Sequence, residues 1–347
     1  MTFNAQILSW YKQHKRDLPW RTNQNPYAVW LSEVILQQTR VEQGTPYFLR
    51  FIERFPELID LASASEDEVL KLWQGLGYYS RARHMLATAQ TIQNEYDGQF
   101  PTSAKELIKL KGIGAYTAAA IASICFNEPV AVVDGNVYRV LARYFGETLP
   151  INSTEGIKRF KALAQMVMDE GQPGAYNQGL MEFGALQCTP KNPNCTSCVL
   201  NDSCSALATK MVDKLPVKLK KTKVITKYFN YVVVIDSKEC MVLQQRTGNG
   251  IWKGLYEFPL FETSAIASED QLVKFISSLA YIKNCDFDLS LYNSEPIIHK
   301  LSHRLLLTQF WILRLNYPVE MAVENSQLTN FAVPVLIANF LKAFKNY

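Results

Sequence analysis

Long apolar runs are missing from this 347-residue sequence. A membrane-spanning helix needs roughly 18 or more consecutive apolar residues, so no membrane span is expected. The opening segment MTFNAQILSWYKQHKRDLPW also lacks the continuous apolar stretch of a secretory signal. We therefore expect a cytoplasmic protein whose cysteines stay reduced. Internal repeats and low-complexity segments are absent as well, which argues against a repeat architecture.

Excess charge is also scarce, since the formal net charge is only +4. This value is too small to establish nucleic-acid binding, but the distribution of the charge is uneven. Residues 209–228 contain seven lysines against a single acid, Asp213. We interpret this segment as a solvated linker between domains, and contact of the same linker with phosphates is compatible with that interpretation.

The spacing of apolar residues changes across this lysine-rich segment. Before it, apolar residues recur at helical spacing, whereas strand-like runs such as YFNYVVVID and LLLTQFWILRL follow it. Two further helical stretches are predicted near 268–280 and 333–345. We predict a multidomain protein, with an all-α domain over 1–207, a linker over 208–227 and a smaller α+β domain over 228–347.

Cysteines are few, but four of them are concentrated within 17 residues in the pattern C-x6-C-x2-C-x5-C. Four thiolates so close together can ligate one metal centre, and they are Cys188, Cys195, Cys198 and Cys204. Zinc usually takes two CxxC pairs, and only one is present. Iron–sulfur clusters accept asymmetric spacings and are favoured. We expect Cys125, Cys240 and Cys285 to be packed free thiols.

A glycine-punctuated segment, ELIKLKGIGAYTAAAIASI, covers residues 106–124. Gly112 and Gly114 suit a tight turn between two helices, because glycine accepts backbone conformations that other residues avoid. Such a turn points backbone N–H groups outward, where they can bind a phosphate. An ordinary corner between two core helices would show the same local pattern.

Two carboxylates have sequence surroundings that are compatible with a catalytic role. Glu33 lies among apolar residues of a predicted helix, where burial would raise its pKa and keep a proton near neutral pH. Asp134 directly precedes another predicted helix. Taken alone, each has a common structural explanation, which is a paired or surface glutamate for Glu33 and a helix N-cap for Asp134.

Several segments considered together resemble the MutY adenine DNA glycosylases. They are LPWR (18–21), WLSEVILQQT (30–39), WQGLGYYSRARH (73–84), VDGNVYRVLAR (133–143) and NQGLMEFGALQC (177–188). The cysteine spacing likewise resembles the [4Fe–4S] loop (188–204) of helix-hairpin-helix DNA glycosylases. The resemblance spans residues 5–222. It implies a helix-hairpin-helix glycosylase domain that excises undamaged adenine opposite 8-oxoguanine or guanine in duplex DNA, which starts base excision repair.

The resemblance also implies roles for individual residues. Glu33 matches the general acid that protonates adenine, and Asp134 matches the carboxylate that stabilises or traps the sugar cation. Asn136 and Tyr116 match residues that support this pair. The remaining matches are Trp20, Arg21 and Glu182 in the pocket for the flipped adenine, Gln38 and Tyr78 as residues that fill or wedge the duplex, Gly112 and Gly114 in the hairpin, and Thr39 and Leu76 as lesion contacts.

Tyr116 separates this sequence from a related class. Bifunctional glycosylases of the endonuclease III type carry a lysine at this hairpin position, and its amine attacks the sugar before the strand is cut. A phenol does not form a Schiff base. The motif GIGAYTA therefore predicts a monofunctional glycosylase.

The C-terminal part resembles, more loosely, the MutT-like (Nudix-fold) domain of the same enzymes, chiefly through GIWKGLYEFP (250–259). The glutamate-rich catalytic box of Nudix hydrolases is missing, so this domain is expected to recognise the lesion without hydrolysing nucleotides. Within HKLSHRL, Ser302 and His303 match the loop that recognises 8-oxoguanine. Leu301 replaces the phenylalanine usual in the family, which puts that one contact in doubt.

Two functions of other classes are compatible with parts of the sequence. A nucleotide pyrophosphatase would need the missing catalytic box, and an iron–sulfur DNA-binding protein without activity would not need Glu33 and Asp134 together. Arg81 and Arg83 could contact phosphates or form a solvated helix face. We expect a monomer that acts on duplex DNA and makes no membrane contact, associated with the nucleoid if the source is bacterial.

Overall fold

The computed structural model describes residues 1–219, 224–283 and 287–344. Four positions discussed above lie outside the described residues: Lys220, Lys221 and Lys223 of the predicted linker, and the predicted free thiol Cys285.

The described residues fall into two compact units. The first contains residues 1–63 and 84–219, and the second contains residues 64–83 together with the described residues from 224 onward. Residues 64–83 thus belong to the second unit, although the sequence places them inside the predicted helical domain. The predicted domain boundaries at 207 and 228 stay a prediction.

Helices form the regular structure of residues 1–219, in which no strand is present. They are α1 (Phe3–His14), α2 (Pro26–Leu36), α3 (Val41–Arg54), α4 (Leu58–Ala62), α5 (Glu66–Trp73), α6 (Ser80–Glu95), α7 (Ala104–Leu107), α8 (Ala115–Phe126), α9 (Gly135–Phe145), α10 (Thr154–Met166), α11 (Pro173–Leu186) and α12 (Ser205–Ala208). Short 3₁₀ turns cover Pro19–Arg21 and Asn201–Ser203. None of the helices in the described ranges is long and apolar enough to cross a membrane.

The core of the first unit near the cysteine loop comes from α1, α9, α10 and α11. Ile7, Leu141, Phe160, Tyr176 and Phe183 are fully or almost fully buried there. Each large apolar side chain buried in this way contributes roughly 1.5–3 kcal/mol to folding. Three of the four clustered cysteines pack against the same core, so the loop that carries them is attached to this core.

Strands follow residue 224. They are β1 (Ile225–Ile235), β2 (Met241–Val242), β3 (Gln244–Gln245), β4 (Tyr256–Glu257), β5 (Leu260–Thr263), β6 (Asp288–Leu291), β7 (Ile297–Lys300), β8 (Arg304–Arg314) and β9 (Ala322–Val323), with helices α13 (Glu269–Ser277) and α14 (Val335–Phe344). In the described part of the chain, the main sheet has the order β6-β8-β1-β2-β9, with β5 on β1 and β7 on β8. Strands β3 and β4 pair separately.

Two long parallel strands, β1 and β8, form the centre of the main sheet, with Ile225 opposite Arg304. Side chains of β1 alternate between its two faces, as strand geometry requires. Tyr231 and its like-facing neighbours pack in one cluster with Phe340 of α14. Val232 packs in the other with helix α13. Both faces are covered by a helix, which explains why β1 reads as an almost continuous apolar run.

The predicted change from helices to strands along the chain is confirmed by these elements. The described chain is helical up to the cysteine loop, and both predicted strand runs lie in β1 and β8. The predicted helices near 268–280 and 333–345 correspond to α13 and α14.

Candidate functional site

Glu33 lies in the middle of α2, among side chains that are mostly apolar and buried. Pro26 takes the first helical position, and the Asn25 side chain accepts hydrogen bonds from the backbone N–H groups of Tyr27 and Ala28. This cap satisfies donors that have no partner within the helix. Desolvation raises the pKa of Glu33 from 4.5 to about 7. A carboxyl with this pKa can donate a proton at neutral pH.

Tyr116, at the start of α8, donates a hydrogen bond from its hydroxyl to Glu33 Oε2 at 2.6 Å. Burial raises the pKa of Tyr116 well above 10, so the phenol keeps its proton and remains a donor. Desolvation is the largest influence on the pKa of Glu33, and the charge on Asp134 raises it further. The Tyr116 hydrogen bond and the charge on Arg21 both lower it.

Asp134 is the N-cap of α9, so the structural explanation of this residue is correct. Its Oδ1 accepts hydrogen bonds from the backbone N–H groups of Asn136 at 2.8 Å and Val137 at 2.7 Å, and Oδ2 accepts one from Asn136 Nδ2 at 2.8 Å. Burial raises the pKa of Asp134, while these three bonds and the charge on Arg139 oppose the rise. Three donors directed at the carboxyl group favour its ionised form.

Arg139 orients Asn136 and is a residue that the sequence reasoning missed. Its Nη2 donates to Asn136 Oδ1 at 2.8 Å, which turns the Asn136 Nδ2 group towards Asp134. The same guanidinium donates to the backbone oxygens of Gly184 at 2.6 Å and Cys188 at 2.7 Å. The signal in the sequence was an arginine within the motif VDGNVYRVLAR, but its burial, because of which the guanidinium needs several acceptors, is visible only in the structure.

Glu182 on α11 is an anion held by two arginines. Arg16 donates to it through Nε and Nη2, both at 2.8 Å, and through its backbone N–H at 3.0 Å. Arg21 adds bonds at 3.0 and 3.2 Å. Burial alone would raise the pKa of Glu182, but the bonds from the arginines lower it to about 2. Trp20, in the 3₁₀ turn before Arg21, is buried.

Arg16 is a second missed residue. It stands two residues before the LPWR motif in the segment RDLPWR, and it makes more hydrogen bonds to Glu182 than Arg21 does. The signal in the sequence that could have identified Arg16 was its position next to LPWR, the motif that contains Trp20 and Arg21 of the predicted base pocket. Trp20, Arg21 and Glu182 were predicted together, and the structure joins Arg21 and Glu182 directly.

The predicted hairpin joins α7 to α8. Gly112 has a φ of +79°, and a Cβ atom there would lie 2.7 Å from the Cβ of His84. Both the backbone conformation and the close contact therefore require glycine at this position. Gly114 is the N-cap of α8 and faces open space. The turn can thus be approached closely by another backbone, as phosphate binding requires.

Gln38 and Thr39 follow α2 directly. Gln38 is exposed and has a φ of +56°, so the chain turns sharply at this residue. The backbone N–H of Thr39 donates to the oxygen of Leu36 at 3.1 Å. This turn places both side chains just beyond the helix that carries Glu33.

Within the second unit, the predicted lesion contacts lie around one cleft of about 540 Å³. Its lining includes Leu76 and Tyr78 from the loop after α5, and Leu301, Ser302 and His303 from the turn between β7 and β8. The hydroxyl groups of Tyr78 and Ser302 share a hydrogen bond. Leu301 also packs against the apolar core of the sheet, so the substitution found in this chain is compatible with the local fold.

The four clustered cysteines follow α11 and line one small cavity. Arg143 of α9 donates to the backbone oxygen of Thr189 at 2.7 Å, and its Nη1 lies 3.4 Å from Cys188 Sγ. A guanidinium next to the sulfur stabilises a thiolate. Arg143 was also missed, although it stands four residues after Arg139 on the same helix face.

The donor set suits an iron–sulfur cluster. Four cysteine thiolates are the ligands that such a cluster takes, and the asymmetric spacing of the four suits it better than it suits zinc. The cysteines within the described ranges form no disulfide with one another, so the four clustered thiols are available as ligands.

Three family models match the chain. The HhH-GPD superfamily of base excision DNA repair proteins matches residues 31–165, the iron–sulfur binding domain of endonuclease III matches 188–204, and the NUDIX domain matches 230–343. An adenine DNA glycosylase of Buchnera aphidicola subsp. Acyrthosiphon pisum is 36% identical over 325 residues, which cover 93% of this chain and 89% of that protein. The chain belongs to the adenine DNA glycosylase family.

Other members and solved structures are consistent with this membership. The adenine DNA glycosylase of Homo sapiens is 45% identical over 213 residues, which cover 59% of this chain and 39% of the human protein. The structure of a thermostable thymine-DNA glycosylase is 30% identical and has a TM-score of 0.56, with 60% of this chain and 95% of that chain covered.

These findings confirm the predicted family and fold class, which are a helical domain with an iron–sulfur loop followed by a Nudix-like domain. The chain is a DNA N-glycosylase of this family and carries an iron–sulfur cluster. The roles of individual residues stay predictions.

Proposed function

We propose that this chain is a monofunctional glycosylase that removes undamaged adenine opposite 8-oxoguanine, and opposite guanine, from duplex DNA. The observation that carries the proposal is the contrast between Glu33, whose pKa lies near 7, and Asp134, which is held by three hydrogen-bond donors. Excision of adenine in base excision repair is supported by relatives named adenine DNA glycosylase. We further propose that it works as a monomer in the cytoplasm, at the nucleoid if the source is bacterial.

Glu33 supplies the acid step. Adenine leaves deoxyribose poorly as an anion, whereas protonation of a ring nitrogen lets it leave as a neutral base. General acid catalysis of this kind contributes roughly 10²–10⁴-fold. The hydrogen bond from Tyr116 fixes Oε2 of Glu33, so the proton passes to the base from the other carboxyl oxygen.

Asp134 supplies the negative charge. As the glycosidic bond breaks, its electron pair stays with the protonated base and the sugar becomes oxocarbenium-like. The ionised carboxylate stabilises this cation or traps it covalently, and water then completes the hydrolysis at the sugar carbon. Asn136 keeps the carboxylate in place and is itself held by Arg139.

The base must leave the stack to reach these groups. Trp20, Arg21 and Glu182 form the pocket for the flipped adenine, with Arg16 as an additional residue that fixes Glu182. Gln38 and Tyr78 fill or wedge the opened duplex. The hairpin at Gly112 and Gly114 binds the phosphate backbone through its N–H groups.

Tyr116 makes the activity monofunctional. Its phenol keeps its proton because burial raises its pKa well above 10, and a phenol offers no amine for a Schiff base. The sugar is therefore attacked by water, or by Asp134 and then water, and the strand stays intact.

Cys188, Cys195, Cys198 and Cys204 are the residues that hold the [4Fe–4S] cluster. The loop between these cysteines would be ordered by the bound cluster and would then contact DNA. Arg143 and Arg139 tie this loop to α9, the helix that Asp134 caps.

Ser302 reads the lesion. 8-Oxoguanine carries a proton on N7, where guanine has an acceptor, and a serine hydroxyl can accept from that N–H. Thr39, Leu76 and His303 complete the contacts to the lesion. One neutral hydrogen bond contributes only about 0.5–1.5 kcal/mol, so Ser302 adjusts the preference for the lesion and does not determine it alone.

The test is single-turnover base release from matched duplexes that contain A:8-oxoguanine, A:G or A:T. We expect release from the first two and none from the third. Ser302→Ala should lower the ratio of the A:8-oxoguanine rate to the A:G rate by roughly three- to tenfold. Release from A:T at a comparable rate would contradict mispair selectivity, and an unchanged ratio in Ser302→Ala would place lesion reading elsewhere.

A further inference from the structure

Helix α5 is bonded to the strand-rich part of the second unit through Asp67. Tyr256 of β4 donates its hydroxyl to Asp67 Oδ2 at 3.1 Å. Gln245 of β3 donates from Nε2 to Asp67 Oδ1 at 3.3 Å, and the same nitrogen lies 3.1 Å from the backbone oxygen of Gly254. The acid on α5 thus joins both strands of the small β3–β4 pair.

Lys71, one turn further along α5, makes a second attachment. Its Nζ donates to the backbone oxygen of Phe331 at 3.0 Å and to Gln74 Oε1 at 3.1 Å. The Phe331 ring contacts the Tyr256 ring at 4.7 Å. The two attachments therefore meet the same small part of the unit.

A glycine brings the backbone close to α5 between these attachments. Gly254 has a φ of +86°, and a Cβ atom there would lie 2.8 Å from Glu66 Oε1 and 3.0 Å from a methyl group of Leu70. The second glycine of the motif GIWKGLYEFP is thus required by its backbone conformation, and it lies close to the side chains of α5. We name Gln245, Gly254, Tyr256 and the Phe331 carbonyl the α5 seat.

The loop that leaves α5 has an unusual backbone. Gly75, Gly77 and Tyr78 all have positive φ, at 104°, 71° and 47°, and this conformation costs free energy at a tyrosine. Trp73 Nε1 donates to the Gly77 oxygen at 3.0 Å, and the Arg81 guanidinium stacks on the Trp73 ring at 5.0 Å. The last residue of α5 therefore helps to set the position of Tyr78.

We propose that the α5 seat is a specificity-determining element that positions Leu76 and Tyr78 next to Ser302, with Asp67 and Lys71 as its positioning residues. The inference rests on the lesion-reading function proposed above. Movement of α5 on its seat displaces the loop, and the shared hydrogen bond between Tyr78 and Ser302 is then lost. The preference for 8-oxoguanine over guanine falls, while the chemistry at Glu33 and Asp134 continues.

Two conservative variants of the full-length chain test this. Tyr256→Phe removes the bond to Asp67 and keeps the ring, and Lys71→Met removes the bond to the Phe331 carbonyl and keeps the chain length. Tyr228→Phe and Lys274→Met are matched controls. Tyr228 is a half-buried tyrosine of β1, and Lys274 is exposed on α13.

Single-turnover rates on A:8-oxoguanine and A:G duplexes are the readout. The double variant Tyr256→Phe/Lys71→Met should lower the ratio of the two rates by about three- to tenfold, because the A:8-oxoguanine rate falls more than the A:G rate. The controls should leave the ratio unchanged. A ratio equal to wild type in the double variant would overturn the proposal, as would an equal loss on both duplexes.

A double-mutant comparison separates positioning from a general loss of structure. If the seat acts through Ser302, adding Ser302→Ala to Tyr256→Phe should lower the ratio by less than the product of the two single effects. Fully multiplicative effects would contradict action through Ser302. If the wild type itself shows no preference between the duplexes, the proposed lesion reading has failed, and not the seat alone.

Discussion

Two glutamates of the first unit have pKa values that are shifted in opposite directions. At the Glu33 site, desolvation raises the pKa to about 7, and the hydrogen-bond partner is the neutral phenol of Tyr116. At the Glu182 site the residue is only 1% exposed, yet the pKa is lowered to about 2 by Arg16 and Arg21. Burial acts in the same direction on both, so the charge of the partner decides the outcome.

This difference assigns different tasks to residues of the same type. A carboxyl with a pKa near 7 can exchange a proton during turnover, whereas one with a pKa near 2 is a permanent anion at neutral pH. Glu182 fixes two guanidinium groups beside the proposed base pocket. Glu33 is the residue whose protonation changes, which is why it is the acid in the proposed mechanism.

Removal of the proton donor at Glu33 should have the largest effect, and that effect is on the rate of adenine release. Glu33→Gln keeps the shape of the side chain but has no carboxyl proton, so adenine release should fall by roughly 10²–10⁴-fold. Asp134→Asn should cause a loss of similar size because the negative charge is gone. Single-turnover kinetics and DNA binding measure both effects. Retention of more than roughly a tenth of the wild-type rate would contradict the assigned role.

The pH dependence of the rate of adenine release should reflect the protonation state of Glu33. Because Glu33 acts when protonated, the rate should decline as pH rises through about 7, and then by about tenfold per pH unit. Glu182 titrates near 2 and contributes nothing in this range. Rates measured from pH 5.5 to 9, roughly spanning the Glu33 pKa, provide the test. A rate that rises with pH across that range would mean that Glu33 acts as a base.

Neutralisation of the other glutamate should act on stability. Glu182→Gln leaves Arg16 and Arg21 beside a neutral partner, and the lost charge-assisted bonds should cost roughly 1.5–3 kcal/mol. Urea unfolding at pH 7, followed by tryptophan fluorescence, measures the loss. The exposed pair Lys109–Glu106 is the control, since Glu106→Gln should leave the free energy of unfolding almost unchanged because solvent screens the pair. Equal effects of both variants would show that burial of the Glu182 pair has no energetic consequence.

The smallest expected effect is an increase in the free energy of unfolding. The pKa of Glu33 is raised from 4.5 to about 7 on folding, so the folded state binds more protons in this window and loses stability as pH rises through it. Glu33→Gln avoids that ionisation and should stabilise the chain by roughly 1–3 kcal/mol at pH 8. The gain should vanish towards pH 4.5. Destabilisation at pH 8 would indicate that the wild-type carboxylate is paired in the folded state.

Features encoded by adjacent residues were predictable from the sequence. The helical spacing around Glu33 predicts a desolvated carboxyl, and the DGN motif predicts Asp134 at the start of a helix. The two explanations of Asp134 describe one arrangement, because the cap bonds also hold the proposed catalytic carboxylate. The requirement for glycine at position 112 was predictable in kind, while its contact with His84 depends on tertiary packing.

Partners chosen by tertiary structure were not predictable. Arg16 and Glu182 are 166 positions apart, and nothing in either local pattern names the other. Arg139 and Arg143 read as the polar residues of an amphipathic helix, yet both are buried and bond to backbone oxygens of the cysteine loop. The position of α5 in the second unit belongs to the same class, since helical periodicity predicts a buried face but not the surface that covers it.

The hydrogen bond between Tyr78 and Ser302 means that the serine hydroxyl already has a partner when no lesion is present. A serine hydroxyl has one proton and two lone pairs, so it can keep the tyrosine as a partner and still accept from the N7–H of the lesion. The net free energy of that one added bond is small. An enzyme searching a long stretch of ordinary DNA would then release each normal pair quickly. The time spent at a lesion would depend on what happens after this contact forms, when the adenine across the helix enters its pocket.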